Sequence, residues 1–155
     1  MLPSRLLLIR QQFPDRRLPD VCAETRQQLE RSDFASRLTR GARVAIGVGS
    51  RGIANIDSIT QAVVEYWRDH GMTPFVFPAM GSHGAATPEG QADVLAHLGV
   101  TEQSLGCPIV SRADVVSLGT TDDGVEVFMD AAAHGADEFA LPHHLGRRDS
   151  VRHVS

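Results

Sequence analysis

One histidine stands in a run of small residues between an apolar segment and the start of a helix. The run is Pro78-Ala79-Met80-Gly81-Ser82-His83-Gly84-Ala85-Ala86-Thr87-Pro88-Glu89-Gly90. Imidazole exchanges protons near neutral pH, so His83 is a candidate general acid or base. An ordinary hydrogen-bonded loop histidine is the alternative, because no Asp or Glu between Gly81 and Thr87 can orient the ring.

A second glycine-rich turn, Gly47-Val48-Gly49-Ser50-Arg51-Gly52, can hold an anion. Ser50, Arg51 and the free N–H groups of a following helix suit a carboxylate or a phosphate. The turn also matches G-x-G-x-x-G, but the next strand ends without the acidic residue that a dinucleotide ribose requires. The alternatives are a surface arginine paired with an acid and glycines that serve only a tight turn.

Strand and helix patterns place these two loops at one edge of a sheet. Val44–Val48 and Phe75–Phe77 are apolar runs typical of buried parallel strands, and 56–69 has helical apolar spacing between them. Asn55 is a suitable N-cap for the helix at 56–69, and Thr87 is one for the next helix, with Pro88 at its first position. Because a right-handed crossover brings the carboxyl ends of the strands together, we expect Arg51 and His83 to approach each other.

The whole pattern predicts an α/β fold, with a Rossmann-like parallel sheet core, flanking helices and a β-hairpin near the C-terminus. Residues 1–42 are expected to add a strand at Leu6–Ile9 and a surface helix at 21–31 to the same domain. Residues 43–141 are expected to form the core, with strands at 108–110 and 115–118, the Asp-Gly turn of the hairpin inside 121–124 and a short helix at 129–134. Residues 142–155 lack any period and are expected to be a disordered tail.

Composition narrows the classes of function. The chain has 155 residues and a net charge of −4, which argues against nucleic acid as a partner. All fifteen basic residues are arginine, so no lysine can form a Schiff base or an amide link to a cofactor. No apolar run is long enough for a membrane span, and two distant cysteines suggest a cytoplasmic protein with reduced thiols. No metal-ligand spacing is apparent, and the histidines at 143, 144 and 153 are more typical of a tail than of a metal site.

Both loops resemble those of a known family. Residues 44–55 and 78–90 are similar, in order and in spacing, to the N-terminal domain of the LarA-like family, the nickel-pincer-nucleotide lactate racemases and their relatives. The resemblance runs from about residue 43 to about residue 140. Ser50-Arg51-Gly52 matches the family's Thr-Arg-Pro-type loop, and Gly81-Ser82-His83 with Thr87 matches its Gly-x-His loop.

The resemblance implies a catalytic role for His83 and a substrate- or cofactor-binding role for a set of loop residues. In the family, proton and hydride move at the α-carbon of a 2-hydroxy acid, two histidines act as acid and base, and the nickel pincer nucleotide accepts the hydride. The implied ligand is thus a small anionic substrate such as a 2-hydroxy acid. The implied binding set is Ser50, Arg51, Gly52, Gly81, Ser82 and Thr87.

The chain also departs from the family pattern. The family's cofactor-anchoring lysine, second catalytic histidine and nickel-binding histidine follow the part matched here, and residues 141–155 do not resemble that region. We therefore expect an N-terminal domain of a 2-hydroxy-acid racemase or epimerase that is truncated, holds no cofactor by itself and is inactive alone. This interpretation implies a missing C-terminal domain, or self-association through the uncovered ligand-facing edge of the sheet. The alternative is a free-standing anion- or nucleotide-binding module that acts with a partner chain.

Overall fold

A short parallel sheet forms the centre of the protein. The computed structural model describes residues 9–15 and 17–140. Its strands β1 (Arg43–Val48), β2 (Thr73–Pro78) and β5 (Glu138–Ala140) lie in the order β2-β1-β5, all parallel. The register pairs Val48 with Pro78, so β1 and β2 end at the same level. This confirms the predicted α/β class with a parallel core.

Four helices share a hydrophobic core with one face of this sheet. Val44, Ile46 and Val48 alternate along β1 and are completely buried in the larger apolar cluster, which helix residues complete. A one-turn 3₁₀ helix at Phe34–Arg37 contributes Ala35 to the same cluster. The helices are α1 (Val21–Ser32), α2 (Ile56–Asp69), α3 (Pro88–His97) and α4 (Glu102–Leu105).

The opposite face of the sheet has a thinner cover. Ala45, Phe75 and Phe77 pack there against Ala133 of α5 (Ala131–His134). A hairpin of β3 (Val115–Thr120) and β4 (Glu126–Asp130) precedes α5 and contributes Met129 to this second cluster. The predicted hairpin with its Asp-Gly turn is thereby confirmed, and most of its residues are exposed. The sheet therefore lies between a large apolar cluster, which it shares with α1 to α4, and a small apolar cluster under α5 and the hairpin.

Several local predictions needed correction. The 108–110 run is not a strand but forms a single bridge, between Ile109 and Val76. Asn55 stands before α2 in a left-handed conformation, and its side chain does not cap the helix. Met129 belongs to β4, so α5 begins two residues later than expected.

The ends of the chain are only partly described. Ile9 is exposed and outside any strand, while 1–8 and the predicted tail at 142–155 lie outside the described residues. The expected surface helix is α1, which buries only Leu29 and packs on α2. Within residues 9–15 and 17–140, no helix is both long and apolar enough to cross a membrane.

Candidate functional site

The two glycine-rich loops leave the sheet side by side. β1 and β2 are paired along their whole length, and the amide of Ala79 donates a 2.9 Å hydrogen bond to the carbonyl of Val48 just beyond the pair. The chain segments that follow, 49–55 and 79–87, therefore start from one point at the carboxyl edge of the sheet. Open α/β sheets bind ligands at this edge.

Ser50 and His83 meet across the two loops. The Ser50 hydroxyl oxygen lies 2.5 Å from Nδ1 of the His83 ring, and the pair is partly buried. This contact joins residues 33 positions apart. Because Nδ1 is engaged, Nε2 is the ring nitrogen left for a ligand, and none of the described residues forms a hydrogen bond with it. A fixed second nitrogen is the usual way in which a protein sets the orientation and tautomer of a reactive imidazole.

The structure thus brings Ser50, rather than Arg51, into contact with His83. Arg51 is exposed and forms no hydrogen bond or ion pair with any residue in the described part of the chain. Gly52, beside it, has a φ of +52°, a left-handed conformation that turns the chain towards α2. Arg51 remains a cation at the rim of the edge, one residue from the Ser50–His83 pair.

The remaining predicted binding residues lie in the second loop but have different surroundings. Gly81 and Ser82 are exposed immediately before His83. The Thr87 hydroxyl accepts a 3.1 Å hydrogen bond from the Gly90 amide and donates a 3.1 Å bond to the Gly84 carbonyl. Thr87 is therefore the N-cap of α3, as its position before Pro88 predicts.

Close backbone packing holds the second loop against the first turn of α3. A Cβ added to Gly90 would lie 2.1 Å from the Gly84 carbonyl oxygen, and one added to Gly84 would lie 2.4 Å from the Gly90 carbonyl carbon. Only glycine fits at both positions. Ala85 and Ala86, between them, adopt φ values of +56° and +55°, which are strained for residues other than glycine. The loop conformation is therefore imposed by its surroundings.

One supporting residue was missed by sequence reasoning. The Gln91 side-chain amide donates a 2.8 Å hydrogen bond to the carbonyl of Gly81 and so ties the loop to α3. The amide of His83 also donates to the Met80 carbonyl at 3.3 Å, which closes a turn just before the ring. The signal for Gln91 was a polar side chain in the first turn of the helix that follows the loop.

The side chains at this edge do not fit a nickel pincer nucleotide, the cofactor that the family resemblance implies. The chain contains no lysine for the covalent anchor that the family resemblance implies. Within the described residues, no group of three or more His, Cys, Asp or Glu side chains is placed to hold a metal ion. No chemical step through that cofactor is therefore assigned to these residues.

What the edge offers by itself is an oriented imidazole, a nearby guanidinium and exposed loop backbone. Such a set can exchange one proton with an anionic ligand whose charge Arg51 neutralises.

Comparisons of the chain with protein-family models, with curated proteins and with solved structures find no match.

Proposed function

We propose that this chain is the N-terminal domain of a 2-hydroxy-acid racemase or epimerase of the LarA-like type, and that it contributes one half of the acid/base pair. The observation that carries the proposal is the contact between the Ser50 hydroxyl and Nδ1 of His83. It joins the two loops on which the resemblance rests, at the edge where an α/β sheet binds ligands.

In this proposal Arg51 binds the carboxylate of the substrate. A guanidinium suits a planar carboxylate because it can donate two parallel hydrogen bonds. Nε2 of His83 then exchanges a proton with the 2-hydroxyl group, while Ser50 holds the ring through Nδ1. At this edge the described residues supply neither a second base nor a hydride acceptor, so we expect the domain to bind substrate without racemising it.

The same proposal includes the cytoplasm as the compartment. Cys22 is partly exposed and Cys107 is buried, and neither is in a disulfide. Free thiols are typical of proteins from reducing compartments.

Titration of the full chain with L-lactate, followed by NMR, tests the binding step. We expect saturable shifts at the amides of 50–52 and 81–84, and loss of binding in Arg51→Ala. Arg31→Ala is the matched control, because Arg31 is also an exposed arginine but lies on α1. Unchanged lactate binding in Arg51→Ala would refute the assigned role.

The second candidate function, an anion- or nucleotide-binding module, is favoured by the unpaired state of Arg51 among the described residues. Titration with AMP and with NAD distinguishes the two. Nucleotide binding at least tenfold tighter than lactate binding, lost in Arg51→Ala, would replace the racemase proposal with the module. If neither lactate nor a nucleotide binds, both fail.

A further inference from the structure

The β3–β4 hairpin exposes more large apolar side chains than any other described segment. Val115, Leu118, Val125 and Phe128 are 48–58% exposed, and Val127 is 39% exposed. They lie within fourteen residues of sequence, on a two-stranded sheet that pairs with no other described strand. Two-stranded hairpins gain stability from additional strands or packing, and apolar surface of this kind marks interaction sites.

The charge on the hairpin has one sign. Residues 113–130 contain five acidic side chains and no basic one; they are Asp114, Asp122, Asp123, Glu126 and Asp130. All of them lie on β4, in the turn or just before β3, while β3 itself is uncharged. The hairpin therefore combines an apolar surface with a local charge of −5, in a chain whose total charge is −4.

In the described part of the chain, β3 pairs only with β4, so the backbone groups along its other edge have no strand partner. Its residues, Val-Val-Ser-Leu-Gly-Thr, include neither a charge nor a proline, which are the usual devices that block edge pairing. The register to β4 shifts between Ser117 and Gly119, so regular extended backbone is available mainly over 115–117. An added strand can pair there and contact Leu118 just beyond.

We propose that the hairpin is a docking surface for a basic, apolar polypeptide segment of a partner protein, which adds to β3 as an extended strand. Main-chain hydrogen bonds to an open edge and pockets for alternate side chains are an established mode of peptide recognition. The five carboxylates select positive charge in the partner. A second copy of this chain is disfavoured by the same charges, because two hairpins placed together would bring ten carboxylates close to one another.

Binding of two labelled peptides to the full chain tests the proposal. Both contain about six residues, the usual strand length, with valine alternating with either arginine or glutamate. We expect the arginine peptide to bind at least tenfold more tightly than the glutamate peptide in fluorescence anisotropy, and to weaken as salt is raised. Hydrogen exchange at the amides of 115–117 should slow when the arginine peptide is bound.

Two variants separate the charge from the apolar contact. The double variant Asp122→Asn with Glu126→Gln should weaken binding of the arginine peptide at least threefold. The control double variant, Glu24→Gln with Glu89→Gln, removes the same charge elsewhere and should leave the affinity unchanged. Leu118→Thr should also weaken binding, since threonine keeps strand propensity but removes the apolar contact.

Three results would overturn the proposal. The first is equal affinity for both peptides, or affinity for neither. The second is a dimer in sedimentation whose amides at 115–117 are protected without peptide, which would make a second copy the occupant. The third is the same protection in a monomer, lost when the arginines at 147, 148 and 152 are replaced by glutamate, which would assign the surface to the chain's own 141–155 segment.

Discussion

The contact between Ser50 and His83 predicts a measurable energetic coupling between the two loops. Ser50→Ala removes the hydroxyl that lies 2.5 Å from Nδ1, and His83→Ala removes its partner. A typical intramolecular hydrogen bond contributes about 0.5–1.5 kcal/mol net to stability. The pair is half-buried, so water replaces part of the lost bond, and we expect a coupling of about 1 kcal/mol in the double-mutant cycle.

Urea unfolding measures this coupling through the only tryptophan of the chain. Trp67 is 2% exposed and lies in the large core, so its emission reports loss of the core packing. The free energies of unfolding of the wild type, both single variants and the double variant give the coupling directly. The slope of unfolding free energy against urea should stay constant across the four proteins.

A second cycle provides the control. His97 lies on α3 and its Nδ1 contacts the carbonyl of Asp93, away from the candidate site. Ser50→Ala combined with His97→Ala should therefore be additive within about 0.3–0.5 kcal/mol, as distant substitutions usually are. If the Ser50–His83 cycle is as additive as this control, the hydroxyl does not hold the ring, and the orientation assigned to Nε2 fails.

Two further predictions concern packing and reactivity. Gly90→Ala should destabilise the protein by about 1–3 kcal/mol, although alanine is the better helix former, because its Cβ would clash with the Gly84 carbonyl; Gly81→Ala has open space and should cost only the left-handed strain of about 1–2 kcal/mol. Denaturation of the two variants checks this, and a stabilised Gly90→Ala would contradict the close contact. Burial raises the pKa of the Cys107 thiol, so at pH 8 iodoacetamide should modify Cys22 first; faster labelling of Cys107 would refute its burial.

The site edge could be predicted because continuous apolar runs and helical spacing alternate in this part of the chain. Val44–Val48 and Phe75–Phe77 lack polar interruptions, and such continuous apolar runs are typical of strands that are buried on both faces. Once they are parallel neighbours, the residues after each strand must meet at one edge. The structure confirms that the 49–52 and 79–87 loops leave the sheet at the same edge.

The partner of His83 could not be predicted in the same way. Strand pairing fixes the backbone, but it does not decide which of two consecutive side chains turns towards the other loop. The crossover that joins the two strands predicts an approach of Arg51 to His83, whereas the structure places Ser50 against the ring. A short polar side chain such as serine can contact a nearby group without the entropic cost of ordering a long arginine side chain. The hydrophobic periodicity of the sequence contains no information about this entropic difference.

The left-handed conformation of Ala85 and Ala86 bears on what the second loop is for. Each residue pays about 1–2 kcal/mol for that conformation, and isolated loops would avoid it. The fold offsets the strain through the Thr87 cap, the Gln91 contact to Gly81 and the close packing of the flanking glycines. Strained residues of this kind persist where the surroundings over-determine them. These contacts hold the loop that carries His83 in one conformation without a ligand, so the anionic ligand proposed above would not have to order it.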